Sequence, residues 1–272
     1  MHPRQPREFA RFVRRFDAYV RSFKGTDAYV NTNIDIKIEH THRVCRHALD
    51  IADSLELSRE ERKTVFLTAL FHDIGRFPQI HDYGTFNDRS SINHAVLGVR
   101  EIKAHDLLAG CAFDEQIRIR TAIMFHNRHT LPPGLTSATC RLCRILRDAD
   151  KMDILDVLIH YYSSAENGSN PALDLELPTG SSLSAAALTD VETGRCVAIE
   201  NVHSVQDFRL LQAAWVFDIH SAWAMSRLRR MGQIQWLLRQ LPAGAAAERA
   251  ARRINDYMDN FTPTLSSDPA NG

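Results

Sequence analysis

No stretch of the sequence runs to the roughly 20 apolar residues that cross a bilayer as a helix, so a membrane span is not expected. The opening MHPRQPREFARF lacks the apolar core of a secretory signal, and the expectation is a cytoplasmic chain. An excess of charge is missing too. Thirty-three basic residues face 33 acidic ones, which leaves no global field for a nucleic-acid polymer or an anionic membrane. Any anionic substrate is therefore held by local charge. Cysteine is scarce and odd in number, five in all, which argues against a disulfide framework. The one close pair, Cys140 and Cys143, has no second pair to complete a zinc knuckle, and the cysteines read as reduced packing residues. Strand-like alternation is confined to a weak RCVAIENV at 195–202, and no internal repeat is present.

What is present is helical. A hydrophobic content of 44% over 272 residues supports a substantial core, in one large domain or two small ones. Periodicity predicts helices at about 7–24, 34–56, 59–74, 91–108, 115–128, 137–162, 205–230 and 246–260. Ser58 with Glu61 forms a capping box at the start of the third, and Gly75 stands where a C-terminal stop belongs. The segment 163–190, rich in Ser, Asn, Gly and Pro, reads as a long loop. The organisation expected is a helical core over 1–162, a loop-rich connection over 163–204, C-terminal helices packing on the core over 205–262, and a disordered tail over 263–272.

Thirteen histidines are the unusual feature, and their positions decide their meaning. On the second helix His40, Val44, His47 and Ile51 share a face, whereas His42 lies about 200° around and points away. His47 is roughly 10 Å beyond His40 along the axis, too far to share an ion with it. The third helix carries one stripe of Val65, Ala69 and His72 and a second of Phe66, Leu70 and Asp73. A carboxylate emerging from an apolar row protonates, pairs with a cation or binds a metal, although Asp73 alone reads equally well as a helix-terminal cap. The stripe Ile119, Ala122, Ile123, His126 again ends in histidine, and Cys143, Leu146, Asp150, Ile154, Val157 holds one carboxylate. His94, at the start of a helix, is weaker evidence by itself. Several such intrusions on separate helices mean several desolvation penalties unless they converge on one centre, and a metal is the economical centre.

In this order the residues resemble the HD-domain superfamily of metal-dependent phosphohydrolases. The match is His40 in EHTHRV, His72 and Asp73 in HDIGR, and Asp150 in RDADKMD, with His94 in NHAVLG and His126 in AIMFHN added as in the dinuclear branch. It covers about residues 35–160. It implies an all-α HD-domain helical bundle, followed here by a C-terminal helical extension. It also implies two divalent transition-metal ions drawn from Fe, Mn, Zn, Co or Ni. His40, His72, Asp73 and Asp150 are implied to hold one ion, with Asp73 bridging to a second held by His94 and His126. Two such ions share a hydroxide nucleophile and lower the pKa of water from about 15.7 toward about 7.

The resemblance implies a hydrolase of a phosphate ester or anhydride on a small molecule such as a nucleotide. Arg76 and Lys151 are candidate phosphate contacts, with Lys151 favoured instead as a structural partner of Asp148 or Asp153. His129 is a candidate proton donor to the leaving group or an exposed loop histidine. The stretch 77–93 is expected to be a loop at the mouth of the site, carrying His81, Tyr83, Asn87 and Arg89. HNRHTLPPG lacks the Gly-Tyr-Pro element of cyclic-dinucleotide phosphodiesterases, and HDIGRF lacks the Glu-Asp pair of alarmone hydrolases, which disfavours both substrates. Two alternatives stay open: a mixed-valence di-iron oxygenase resembling myo-inositol oxygenase, and a non-catalytic HD module. In the C-terminal extension, Trp215 and Phe217 are expected in a core, and Asp218 is left unplaced.

Overall fold

The computed structural model describes residues 9–163, 177–178 and 182–265, without the side chains of 158–163. Among them all regular structure is helical and no strand occurs. The order is α1 (Ala10–Arg21), α2 (Ala28–Ser54), α3 (Arg59–Phe71), α4 (Arg76–Tyr83), α5 (His94–Ala104), α6 (Phe113–Phe125), α7 (Ser137–Ser163), α8 (Ala185–Glu192), α9 (Val205–Ala214), α10 (Ala222–Met231), α11 (Gln233–Arg239) and α12 (Ala245–Asp259). The described residues divide into two compact units, one reaching Asp150 and one beginning at Lys151. No helix among them is long and apolar enough to cross a membrane.

In the first unit α1 buries Phe12, Phe16 and Val20 from one face. Phe9 stacks on Phe66 of α3 at 4.5 Å, and Phe16 meets Phe71 and Phe77 edge-on at 6.4 and 5.8 Å. Each such ring contributes about 1.5–3 kcal/mol by leaving water, so α1 is a firm clamp on the helix that ends in His72. α2 starts a turn and a half before its periodicity suggests, because Asp27 accepts hydrogen bonds from the amides of Tyr29 and Val30. The capping box of Ser58 and Glu61 is formed and starts α3 where expected.

Two expectations change at the end of α3. Gly75 is not a left-handed stop; its φ is −72°. Its missing Cβ serves close approach instead: a Cβ there would stand 2.2 Å from the His94 carbonyl oxygen and 2.6 Å from the Gly98 amide nitrogen. The start of α5 thus lies directly on the turn that holds Asp73. The stretch after Gly75 is also not all loop. It winds into α4, burying Phe77, Pro78, Gln79 and Ile80, and ends at Gly84 with φ 66°. We expect Gly75→Ala to lower stability by about 1–3 kcal/mol or more, because the obstacles are backbone atoms. Gly25→Ala meets nothing within 4 Å and should stay within about 0.5 kcal/mol. Urea unfolding of the pair checks this, and equal midpoints would refute the contact.

The second unit has its own core, in which Leu210, Ala213, Met225, Leu228, Ile234, Leu237, Ile254 and Met258 are buried with Trp215, Phe217, Trp223 and Trp236 partly buried around them. The helix expected over 205–230 is broken: Trp215–Asp218 tighten into a 3-10 turn, and Ser221 caps a new helix by accepting from the Ala224 amide. The weak alternation at 195–202 forms no strand, and Ile199–Asn201 is a 3-10 turn. α8 begins within the segment expected as loop, started by Ser184, and runs past it to Glu192; residues 164–176 and 179–181 of that segment, and the tail from 266, lie outside the described residues. Loops here hang on two buried carboxylates. Asp207 accepts from the Ser184 and His203 amides, and Asp190 accepts from the Ala198 amide and from Asn201. All five cysteines are free.

Candidate metal centre

Helix ends aim the imidazoles. His72 is the C-cap of α3 and His126 the C-cap of α6, and each Nδ1 lies 2.8 or 2.7 Å from the carbonyl three residues back, Ala69 or Ile123. A carbonyl only accepts, so Nδ1 carries the hydrogen and Nε2 presents a lone pair. Arg147 secures the end of α6 by donating to the carbonyls of His126, Arg128 and His129, which satisfies acceptors that a helix terminus leaves open. His94 opens α5 behind its cap Asn93, and its Nδ1 donates to Asp88 at 2.7 Å. His40 rises from the buried face of α2.

Five helices and their flanks thereby bring six side chains into two adjoining clusters, His40 with His72 and Asp150, and Asp73 with His94 and His126. In the first, the Nε2 atoms of His40 and His72 are 3.3 Å apart, and Asp150 Oδ1 lies 3.2 and 3.6 Å from them. In the second, the Nε2 atoms of His94 and His126 are 3.1 Å apart. Asp73 joins the two. Its Oδ2 is 3.5 and 3.7 Å from His40 and His72, and its Oδ1 is 3.4 and 3.8 Å from His94 and His126. With metal–nitrogen bonds of about 2.0–2.1 Å, ligands of one ion stand about 3.0–3.4 Å apart, which is the spacing of these pairs. His94 and His126 turn two lone pairs toward each other at 3.1 Å, an arrangement that repels unless a cation lies between them. The residues present fit a metal.

The electrostatics agree. Burial pushes His126 down to about 3, helped by His94 and His72, so its ring is neutral and ready to ligate at pH 7. His94 is pushed down by burial and by Arg76. Burial opposes ionisation of Asp73, yet Lys37, His72, Arg76 and His94 outweigh it and hold the carboxyl well below the usual range. Asp150 is held low against its burial by the neighbouring rings of His40 and His72.

The other named candidates lie elsewhere. His42 meets the Phe16 ring at 6.0 Å, on the α1 side of α2, and neither His42 nor His47 belongs to a cluster. The His129 side chain is exposed. Lys151 belongs to the second unit and donates to Asp218, to its backbone oxygen at 2.9 Å and to its carboxylate, rather than to Asp148 or Asp153. His81 and Tyr83 are exposed on α4, and Asn87 turns its oxygen to the Arg89 amide. Arg76 Nη1 donates to Phe86 O, Gln79 and Asp88, while its Nε is buried without an acceptor, 3.7 Å from Asp73 Oδ1. A cavity of about 320 Å³ opens near the starts of α3, α6 and α7, walled by Lys63, Glu115, Arg118 and Leu142, and none of the six lines it.

Two residues escape sequence reasoning. Asp88 receives Arg76, Gln79, Asn127 and the His94 ring at 2.7–3.3 Å, so it sets the tautomer and tilt of His94. Lys37 donates to Asp73 Oδ2 at 2.7 Å. Their only sequence signal is position: Asp88 is the carboxylate closest before His94 in the loop, and Lys37 lies one turn before His40. Asp88→Asn should weaken metal binding at the His94 pair about 10–100-fold, read by chelator competition, with His81→Ala as an unaffected control. Equal affinities would reduce Asp88 to a loop anchor.

Residues 38–155 match the HD domain family, and this segment of the chain is an HD domain. HD domains bind divalent metals and mark a superfamily of metal-dependent phosphohydrolase type. No curated protein and no solved structure matches the chain.

Proposed function

We propose that the chain is a metal-dependent hydrolase of a phosphate ester or anhydride on a small molecule such as a nucleotide. The observation that carries this reading is the division of Asp73, one oxygen toward His40 and His72 and the other toward His94 and His126. His40, His72 and Asp150 would hold one ion and His94 and His126 the other, with Asp73 available to both. Two such ions supply a hydroxide nucleophile near neutral pH and neutralise charge on the phosphoryl oxygens. Imidazole with carboxylate suits Fe, Mn, Zn, Co or Ni. Asp88 orients His94, and the backbone carbonyls of Ala69 and Ile123 orient His72 and His126. Nη2 and the buried Nε of Arg76 are the donors left to face a phosphate oxygen, since Nη1 is engaged by Phe86, Gln79 and Asp88. Lys151 and His129 have no role in this reading.

Metal analysis of the purified protein followed by a panel of phosphomonoesters, phosphodiesters and nucleotides tests it. Two ions per chain and turnover with manganese or nickel under anaerobic conditions are expected. Two irons with a mixed-valence spectrum and oxygen consumption, without phosphate release, would replace hydrolysis by oxygenation. Two ions without either activity would leave a non-catalytic HD module.

A further inference from the structure

Lys37 stands on α2 three residues before His40, about 4.5 Å along the axis at 1.5 Å per residue. Its ammonium donates to Asp73 Oδ2 at 2.7 Å and lies 5.3 Å from the centre of the Phe86 ring, whose other cation is Arg76 at 5.7 Å. An ammonium has three donors. Asp73 takes one, and among the described residues no other acceptor takes the remaining two. The Lys37 side chain is 18% exposed, against 5% for Asp73 and 0–6% for His40, His72 and His94. Lys37, with Asp150 at 18% and Arg76 at 16%, therefore stands at the edge of the buried cluster that water reaches.

We propose that Lys37 is, beside Arg76, an anion-binding cation of this centre and that it selects substrates ending in a dianionic phosphate, a phosphomonoester or terminal phosphoryl group, over monoanionic phosphodiesters; this rests on the phosphohydrolase reading above. A lysine placed only to neutralise Asp73 has no purpose once ions share that carboxylate. Two divalent ions against the carboxylates of Asp73 and Asp150 leave net positive charge, and Lys37 adds to it in a site largely withdrawn from water. Such a surplus is complementary to a doubly charged ligand. The spare donors of Lys37 supply charge-assisted hydrogen bonds to a phosphate oxygen at the mouth. Phe86 fixes the ammonium from the side by a cation–π contact, and Arg76 Nη1 holds the Phe86 carbonyl at 2.5 Å so that the ring stays in place.

The test uses the full chain loaded with manganese, in wild-type form and as Lys37→Met and Lys37→Arg. Metal content is measured first, then calorimetric affinity for inorganic phosphate and for dimethyl phosphate as the monoanionic comparator. Lys37→Met should keep the wild-type metal content and bind inorganic phosphate about 10–100-fold more weakly, with dimethyl phosphate changed less than about threefold. Lys37→Arg should restore phosphate binding to within about fivefold of wild type, since the charge and donors return. Phosphate binding by metal-loaded Lys37→Met at wild-type affinity would overturn the proposal. Loss of metal from Lys37→Met would also overturn it, by showing that Lys37 serves to hold Asp73. A fully loaded wild-type protein that binds no phosphate would instead remove the phosphohydrolase reading itself.

Discussion

Asp73→Ala is expected to purify as a helical protein with neither ion bound and no measurable turnover. Each other member of the centre belongs to one cluster, whereas Asp73 lies within 3.8 Å of ligand atoms in both. With two ions sharing it, as proposed, its removal would take a ligand from both at once and also the negative charge that makes their proximity tolerable. The fold should survive, because what holds α3 is the Phe9–Phe66 stack, the Phe16 contacts and the Ser58–Glu61 box, none of which touches the carboxylate. Lys37 and Arg76 lose an anionic neighbour, so a modest fall in stability accompanies the change. Circular dichroism, metal analysis and the phosphate-release panel measure the three parts. Full metal occupancy in Asp73→Ala would show the His-Asp doublet to be structural.

The histidines of α2 separate the centre from its surroundings. His40→Ala should lose the first ion and activity, because no other group on α2 reaches that cluster, whereas His42→Ala and His47→Ala should keep metal content and turnover to within about fivefold. His42 packs at 6.0 Å from Phe16, so its loss acts on α1 docking and appears as a lower melting temperature. Equal damage from His40→Ala and His42→Ala would mean that the helical phase of EHTHRV is wrong. The histidine pair of the second cluster gives the complementary pattern: His126→Ala should retain one ion where Asp73→Ala retains none.

The ligand candidates were legible because each breaks a periodic background. His72 and Asp73 follow Val65, Phe66, Ala69 and Leu70, all buried, and a polar group at the end of such rows is costly unless something receives it. Asp88 and Lys37 have no such background. Asp88 sits in a polar loop where a carboxylate is ordinary, and a lysine on a partly exposed helix face reads as solvated. Helix boundaries failed for related reasons. α4 follows α3 after a four-residue turn, so 76–83 merges by eye with the polar loop beyond it, and only Gly84, read as a stop, could have revealed it. The break between α9 and α10 is hidden because the apolar residues Trp215, Val216, Phe217 and Ile219 keep packing into one core through the 3-10 turn. Gly75 was misread because glycine after a helix signals a stop, while the actual constraint, the carbonyl of His94, comes from 19 residues further along the chain.

The contact between Gly75 and Gly98 makes the distance between the turn that holds Asp73 and the start of α5, where His94 stands, a property of the main chain. Side chains beside the centre, among them Lys37 and Phe86, can therefore drift in size and charge without altering how far His94 stands from Asp73. An evolving or engineered version of this chain can change what it accepts while the spacing of Asp73 and His94 is inherited unchanged, provided that the two glycines are kept.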